Sequence, residues 1–262
     1  MPESACPGGV SACLAMRSST LDIRAPDGVA DAYLTRPDEG ERHPGVLFVM
    51  DGFGLRLRIE EMADRIAGRG YAVLAPNVFY RAGRAPVLPF PDTSQEGARA
   101  EFFKGVRPLM DQLTPERVAA DGGAYLDELA KVADEPFAIT GYCMGARLGW
   151  RIAAAHPDRV AALAGFHAGG LVTDDAQSPH RSAGALRAEV YLGHADQDPS
   201  NSAEQIATLD AALAEAGVRH RSEVYAGAGH GYTMADTPVY DEQACERHFA
   251  ALFDLLDRTL AR

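Results

Sequence analysis

The feature that most constrains the fold is a regular alternation of apolar runs with helix-like segments. The run PGVLFVM, residues 44–50, is continuously apolar, as expected for a strand buried on both faces. Further strands are predicted at 71–76, 137–140, 160–168, 188–194 and 221–227, and helices at 58–70, 115–132, 144–157, 202–217 and 241–260. This order predicts an α/β fold with a mostly parallel central sheet and helices on both faces.

Two earlier segments have a different pattern. Residues 19–25 and 29–37 alternate apolar and polar side chains around the turn PDG, which predicts an N-terminal antiparallel hairpin with one solvated face. Residues 82–96 are rich in Pro, Gly and Asp and predict a loop. We expect a weakly ordered extension over residues 1–15, with Met16 as an alternative start, and a single domain over residues 16–262.

Composition and cysteine usage narrow the class of function. The chain has 262 residues, of which 47% are hydrophobic, and a formal net charge of −12. The length suffices for one large core, and the acidic excess argues against nucleic acid as the main partner. No apolar run approaches the roughly 20 residues of a membrane span. The four cysteines form no C-x-x-C pair, so we expect reduced thiols in the cytoplasm and no disulfide framework.

The segment GYCMGARLG, residues 141–149, places Cys143 between a predicted strand and a predicted helix. A nucleophile on such a tight turn has strained backbone angles, and Gly141 and Gly145 would leave room for the approaching chain. The helix N-terminus favours a thiolate over a thiol. The alternative is a buried structural cysteine, which would give the glycine spacing no purpose.

Two further loops carry partners for such a nucleophile. His230 lies in GAGHGY just past the last predicted strand, where an imidazole can act as the base. In GHADQDP, Asp196 is favoured as the carboxylate that orients the imidazole, and Asp198 is the competing choice. Asp198 is the less favoured of the two because it precedes a proline and resembles a turn residue. The chain order of nucleophile, acid and histidine is that of α/β-hydrolases.

A fourth loop, in VLFVMDGFG, follows a buried strand. In the α/β-hydrolase fold the backbone amides of Gly52 and Met144 would form the oxyanion hole. Asp51 is unusual beside such a site, because its negative charge opposes a developing oxyanion. Either the Asp51 side chain caps the following turn, or it controls the protonation of the Cys143 thiol.

These motifs resemble those of the dienelactone hydrolase family, the cysteine members of the α/β-hydrolase fold. The resemblance rests on DGFGL, GYAVLAPNVFYR, GYCMGARLG, GHADQDP and GAGHGY and covers roughly residues 19–256. It implies a triad of Cys143, Asp196 and His230, and an acidic residue at Asp51, usually glutamate, that receives the proton of the thiol. One substrate-binding arginine of the family falls on Arg81.

The position of a second family arginine holds Met234, which indicates a more apolar pocket and a preference for uncharged esters. The side chains expected to contact substrate are, besides Arg81 and Met234, Phe53, Tyr80, His167 and Tyr232, with Phe79 as a further candidate wall. Aromatic residues of this kind can equally belong to the core.

The sequence therefore predicts a hydrolase of small-molecule esters or lactones that forms a covalent acyl-enzyme and needs no metal or organic cofactor. We expect a monomer or small homo-oligomer that binds neither nucleic acid nor membranes. One alternative is a non-catalytic small-molecule binder or thiol sensor on the same fold. Another is a zinc site built from histidines and a carboxylate at the strand ends, namely His167, His194, His230 and Asp196.

Overall fold

The computed structural model describes residues 15–40 and 42–260. Eight strands form one sheet. They are β1 (Met16–Ala25), β2 (Gly28–Pro37), β3 (His43–Val49), β4 (Ala72–Pro76), β5 (Ala133–Tyr142), β6 (Val160–Phe166), β7 (Glu189–Gln197) and β8 (His220–Gly229). The spatial order is β1-β2-β4-β3-β5-β6-β7-β8. Strands β3 to β8 are mutually parallel, and β1 and β2 form the antiparallel hairpin at one edge. The predicted hairpin and mostly parallel sheet are confirmed.

Within residues 15–40 and 42–260, six α-helices cover the sheet. They are α1 (Leu57–Ala67), α2 (Ala98–Asp111), α3 (Pro115–Leu129), α4 (Met144–Ala155), α5 (Ala203–Glu215) and α6 (Glu242–Thr259). The crossover from β3 to β4 runs in one direction along the sheet, and every later crossover runs in the other. Because parallel crossovers are right-handed, α1 lies on one face and α3, α4 and α5 lie on the opposite face. Helix α6 packs beside α1, to which the Arg65–Glu246 ion pair connects it.

The reversal of direction sets the position of the site. Strands β3 and β5 are neighbours at the point where the chain changes direction, and both end at the same edge of the sheet. In open α/β sheets this crevice is where ligands bind. Strand β5 is buried along its second half, Phe137 to Tyr142, so the residue that follows it is held by the centre of the core.

Helix α2 was not predicted from the sequence, which assigned a loop only to residues 82–96 and left the following segment open. The helix contains Gly105 and Pro108, both of which weaken a helical pattern, and Val106 is its fully buried residue. Phe102 and Phe103 are half-buried and face the end of β3. The helix thus covers the site instead of packing into the core, and so it lacks the apolar periodicity by which core helices are recognised.

No helix in residues 15–40 and 42–260 combines the length and apolarity required to cross a membrane.

Candidate active site

Cys143 lies at the bend between β5 and α4. Its backbone has φ 54° and ψ −117°, a conformation that is strained for any residue with a side chain. A Cβ atom on Gly141 would lie 2.3 Å from the carbonyl oxygen of Gly145, and one on Gly145 would lie 2.2 Å from the carbonyl oxygen of Val49. Both contacts are with backbone atoms that cannot move aside. The predicted reason for the glycine spacing, close approach of the chain around Cys143, is confirmed.

His230 immediately follows β8 and connects Cys143 to a carboxylate. Its Nε2 lies 3.0 Å from Cys143 Sγ, and its Nδ1 lies 2.6 Å from Oδ2 of Asp198. The Asp198 side chain is only 2% exposed and that of His230 is 19% exposed. A thiol, an imidazole and a carboxylate are therefore joined in one line by hydrogen bonds, and the line is shielded from water at its carboxylate end.

The prediction that Asp196 orients the imidazole is wrong. Strand β7 continues to Gln197, with an irregularity in its pairing to β8 just after Ala195. Asp196 is exposed within this extension, and its Oδ2 accepts a hydrogen bond from the backbone N–H of Gly227. Asp198, the competing candidate, is the first residue beyond the strand and is the carboxylate that reaches His230.

The electrostatics of the line favour an ion pair. Burial by itself would lower the pKa of His230, but the Cys143 thiolate and the Asp198 carboxylate raise it to about 10. The pKa of Asp198 is below its ordinary value, because its hydrogen bonds to His230 and Ser200 outweigh the effect of burial. His230 is therefore an imidazolium at neutral pH, held between Cys143 and the Asp198 carboxylate.

The geometry does not support the zinc site that was the alternative interpretation of the histidines at the strand ends. His194 has Ser222 Oγ 2.9 Å from its Nε2 and Asn201 Nδ2 2.8 Å from its Nδ1. Both of its ring nitrogens are occupied, so it cannot converge with His230 on an ion. Over the described ranges, 15–40 and 42–260, no group of three or more His, Cys, Asp or Glu side chains is arranged to hold a metal ion.

The two amides expected to hold an oxyanion lie beside the thiol. Met144 is the first residue of α4, so its N–H has no acceptor in a preceding helical turn. Gly52 lines the same pocket as Cys143, and a Cβ atom there would lie 2.8 Å from the ring of Phe103. The loop after β3 and the start of α4 therefore both lie next to Cys143.

Asp51 is held by an arginine. Its Oδ1 accepts hydrogen bonds from the Phe53 backbone N–H at 3.0 Å and from Arg56 at 2.7 Å, and its Oδ2 accepts a second bond from Arg56 at 3.1 Å. Arg56 also binds Asp236 at 2.6 Å. Burial raises the pKa of Asp51, and Arg56 opposes that rise. The bond to Phe53 N–H is the turn cap proposed as one of the two alternatives for Asp51.

A narrow inner pocket lies between Cys143, the loop after β3 and the loop after β8. Of the predicted substrate contacts, Phe53, His167 and Met234 line this pocket together with Cys143. Three others lie elsewhere: Arg81 is paired with Asp27 and Asp121, the hydroxyl of Tyr80 donates to Asp121, and the hydroxyl of Tyr232 donates to the carbonyl of Gly193. Phe79 lines a separate cavity under α2. The expected contribution of Arg81, Tyr80 and Tyr232 to the pocket wall is therefore wrong.

His167 lies under the imidazole. It is fully buried, has φ 39°, and its ring centroid is 5.5 Å from that of His230. Its Nε2 is 2.8 Å from Thr233 Oγ1, and its Nδ1 has no hydrogen-bond partner among the residues that the structure describes. Burial lowers the pKa of His167 well below its ordinary value, and the positive charge of His230 acts in the same direction. The ring is therefore neutral and supports His230 without competing for its proton.

An open cleft of about 560 Å³ lies outside the inner pocket. Cys143 and His230 line both spaces, so the sulfur stands at their junction. Two residues that sequence reasoning missed also lie here: Arg99 and Phe103 of α2 line both spaces. Arg56, described above, was missed as well. No local sequence pattern marks any of these residues. A cationic partner such as Arg56 would be expected only once Asp51 is known to be buried, because a buried carboxylate requires one.

The sheet order and the strained bend after β5, which carries Cys143 beside His230, define a protein of the α/β-hydrolase fold. Comparison with known proteins agrees. The dienelactone hydrolase family profile matches residues 30–260. A crystal structure titled as a putative dienelactone hydrolase from Klebsiella pneumoniae superposes with a TM-score of 0.80 at 22% identity, over 93% of this chain and 99% of that one.

The chain belongs to the dienelactone hydrolase family. Among its relatives, a protein of Yersinia pestis named "Putative carboxymethylenebutenolidase" is 28% identical over 85% of this chain and 81% of its own length. The carboxymethylenebutenolidase of Rhodococcus opacus is 27% identical over 71% of this chain and 69% of its own length. The chain is accordingly a hydrolase that acts on ester or lactone bonds, as the resemblance of the motifs predicted.

Proposed function

We propose that the chain hydrolyses small-molecule esters or lactones through a Cys143–His230–Asp198 triad and a covalent acyl-enzyme. The observation that carries the proposal is the line of hydrogen bonds from Asp198 Oδ2 through His230 to Cys143 Sγ, at 2.6 Å and 3.0 Å. Both contacts fall within the reach needed for proton transfer between a nucleophile, its base and an orienting group.

In the acylation step the Cys143 thiolate attacks the carbonyl carbon and a C–S bond forms. The backbone N–H groups of Gly52 and Met144 stabilise the oxyanion. As the tetrahedral intermediate collapses, the C–O bond breaks and the alkoxide takes the proton from His230 Nε2. In a lactone the alkoxide remains attached to the acyl group, so the ring opens and nothing leaves the site.

In the deacylation step His230, now neutral, accepts a proton from water and the hydroxyl attacks the thioester carbon. The C–S bond breaks, the acid leaves, and the thiolate is restored beside an imidazolium. Asp198 keeps Nδ1 protonated and so leaves Nε2 as the atom that exchanges the proton. His167 is neutral and buried beneath the His230 ring, and it keeps that ring in position.

We assign Asp51 a positioning role. Its carboxylate anchors the loop after β3 through Phe53 N–H and Arg56, and this loop carries the Gly52 amide. Because Arg56 balances the charge of Asp51, the carboxylate need not oppose an oxyanion beside it. Transfer of the thiol proton to Asp51, as the family resemblance implied, would require this ion pair to open first.

The proposal is tested with a chromogenic aryl ester. We expect a burst of released phenol whose size matches the enzyme concentration, and an acyl adduct on Cys143 in the intact mass. The Cys143→Ala variant should show neither, although it should bind substrate analogues as before. Turnover that survives in Cys143→Ala would overturn the proposed mechanism. Binding without any burst in the wild-type protein would favour the non-catalytic binder.

A further inference from the structure

His167 has one ring nitrogen whose hydrogen-bonding capacity is not used. The residue is fully buried and lines the inner pocket together with Cys143. Its Nε2 is occupied by the hydroxyl of Thr233, whereas its Nδ1 has no partner within residues 15–40 and 42–260. A buried polar atom without a partner costs free energy. Such an atom on the wall of a pocket therefore indicates a place for a polar atom of a ligand.

The Thr233 hydroxyl determines which nitrogen of His167 carries the proton. Thr233 is fully buried, and in the described part of the chain its hydroxyl has no partner except Nε2 of His167, at 2.8 Å. The hydroxyl therefore donates its proton to Nε2, because a buried donor without an acceptor is costly. Burial lowers the pKa of His167 well below its ordinary value, so the ring is neutral and carries one proton. That proton is on Nδ1, which is thus a neutral N–H donor.

Asp51 supplies an acceptor to the same pocket. Its side chain is buried and lines the pocket with His167. Oδ1 accepts bonds from Phe53 N–H and from Arg56, but among the described residues Oδ2 accepts a bond from Arg56 alone. A carboxylate oxygen has two lone pairs, so Oδ2 can accept a second bond. The inner pocket is therefore lined by a neutral donor and by a carboxylate with an unused acceptor position.

A hydroxyl is the group that matches this pair, because it both accepts and donates a hydrogen bond. A ketone or an ether can only accept, and a methyl group can do neither. The free volume of the pocket is about 10 Å³, which is room for one small group. Because Cys143 lines the same pocket, a group that enters it is separated from the scissile carbonyl by few bonds.

We propose that His167 is a specificity-determining residue whose Nδ1–H donates a hydrogen bond to a substrate hydroxyl on the carbon next to the scissile carbonyl. The hydroxyl in turn donates to Oδ2 of Asp51. The inference rests on the proposed function and names its substrate class, esters or lactones of 2-hydroxy acids. A hydroxyl is uncharged, which agrees with the preference for uncharged esters predicted from Met234.

The test compares two substrates with the same leaving group, 4-nitrophenyl glycolate and 4-nitrophenyl propanoate. Their acyl groups differ only in that a hydroxyl replaces a methyl group of similar size. The ratio of kcat/KM for the glycolate ester to that for the propanoate ester is the selectivity, and it cancels any general loss of activity. In the wild-type protein it should exceed the ratio of the uncatalysed hydrolysis rates. In His167→Gln, whose amide can replace Nε2 but not Nδ1, it should fall about 3- to 10-fold, the effect of one lost hydrogen bond.

His167→Asn separates the hydrogen bond from the packing of the ring. Its amide nitrogen lies where Nδ1 was, but it cannot reach Thr233, so a purely structural role predicts at least as large an effect as in His167→Gln. The proposal predicts instead that His167→Asn keeps more of the selectivity than His167→Gln. Tyr232→Phe is the matched control, because its ring lies 5.0 Å from that of His167 and its hydroxyl binds the Gly193 carbonyl outside the pocket. It should keep the selectivity within about 2-fold of the wild-type value.

Unchanged selectivity in His167→Gln, or a smaller selectivity in His167→Asn than in His167→Gln, would overturn the assignment. Nitrogen-15 NMR of the wild-type protein gives a measurement that does not depend on variants: Nδ1 of His167 should carry the proton and Nε2 should not. The opposite tautomer would also overturn the assignment. Propanoate hydrolysis that depends on Cys143 would leave the proposed function intact in either case, whereas hydrolysis that survives in Cys143→Ala would mean that the mechanism itself had failed.

Discussion

The two carboxylate oxygens of Asp198 have different partners. Oδ2 lies 2.6 Å from His230 Nδ1, and Oδ1 accepts hydrogen bonds from the backbone N–H and the hydroxyl of Ser200 at 2.9 Å and 2.6 Å. The features that mark Asp198 as a turn residue in the sequence are therefore genuine, but they do not exclude a catalytic position. One oxygen fixes the loop, and this fixes the direction in which the other oxygen points.

The two aspartates of this loop give a matched pair of variants. Asp198→Asn should lower kcat for ester hydrolysis by about 10²- to 10⁴-fold, because the amide no longer holds the imidazole in the tautomer that presents Nε2 to the sulfur. Asp196→Asn should change kcat less than about 3-fold, since it only weakens an exposed bond to Gly227. Steady-state kinetics with one ester checks both. A larger loss in Asp196→Asn than in Asp198→Asn would contradict the proposed triad.

The charge state of His230 depends on its neighbours. The Cys143 thiolate is the largest influence that raises the pKa of His230 to about 10. Removing the thiolate removes an interaction that favours the imidazolium, so in Cys143→Ala the pKa should fall toward the ordinary value near 6.5. Asp198 still opposes the fall. NMR titration of the ring, compared with Asp196→Asn as the control, measures the change. An unaltered pKa would mean that Cys143 does not raise the pKa of His230.

The same pKa sets the alkaline limit of activity. His230 must carry a proton to release the alkoxide, so kcat/KM in the wild-type protein should decline as pH rises through about 10. A decline centred near pH 7 would contradict the ion pair.

At the level of elements, α4 is placed by backbone contacts. Gly145 lies against the carbonyl oxygens of Val49 and Met50, and Gly122 of α3 lies against the side chain of Ile152 on α4. The paired glycines of α3 weaken its sequence pattern, yet Gly122 allows the two helices to approach closely. A glycine inside a predicted helix can therefore indicate close packing against a neighbouring helix, and not only the end of the helix.

Substitution of Gly145 should show this requirement. Gly145→Ala places a methyl group about 2.2 Å from the Val49 carbonyl oxygen, so we expect a loss of stability of several kcal/mol or failure to fold. Gly184→Ala is the control, since nothing lies within 4 Å of the added atom and Gly184 does not have a positive φ. Urea unfolding followed by circular dichroism compares the two. Equal stability of both variants would show that α4 can shift without cost.

The limits of sequence-based prediction also lie at this level. Buried strands and core helices were predictable because their side chains repeat with the period of the structure. Helix α2 was not, since it covers the site with half-buried residues and contains Gly105 and Pro108. The prediction of Asp196 over Asp198 was wrong for a related reason. The irregularity in the β7–β8 pairing determines which residue is the first to leave the sheet. No local sequence pattern indicates this irregularity.

At the scale of the whole molecule, the described chain is one sheet with its covering helices, and the predicted extension over residues 1–15 lies outside it except for Ala15. The Ala15 carbonyl accepts a hydrogen bond from Asp38 N–H beside the first pair of the β1–β2 ladder. A chain that starts at Met16 should therefore keep its melting temperature within about 2 °C and its esterase rate within about 2-fold. A fall of several degrees would show that the extension contributes to the domain.

The contact of Gly145 with the end of β3 bears on how the protein would respond to denaturant. The bend at Cys143 cannot relax unless α4 separates from β3, and that separation opens the centre of the sheet. Helix α2, which has Val106 as its fully buried residue, can detach at much lower cost. Amide hydrogen exchange in α2 should accordingly accelerate at urea concentrations that leave the amides of β5 protected. Cys143 would then belong to the most cooperative part of the molecule, and helix α2, which covers the site, to the least.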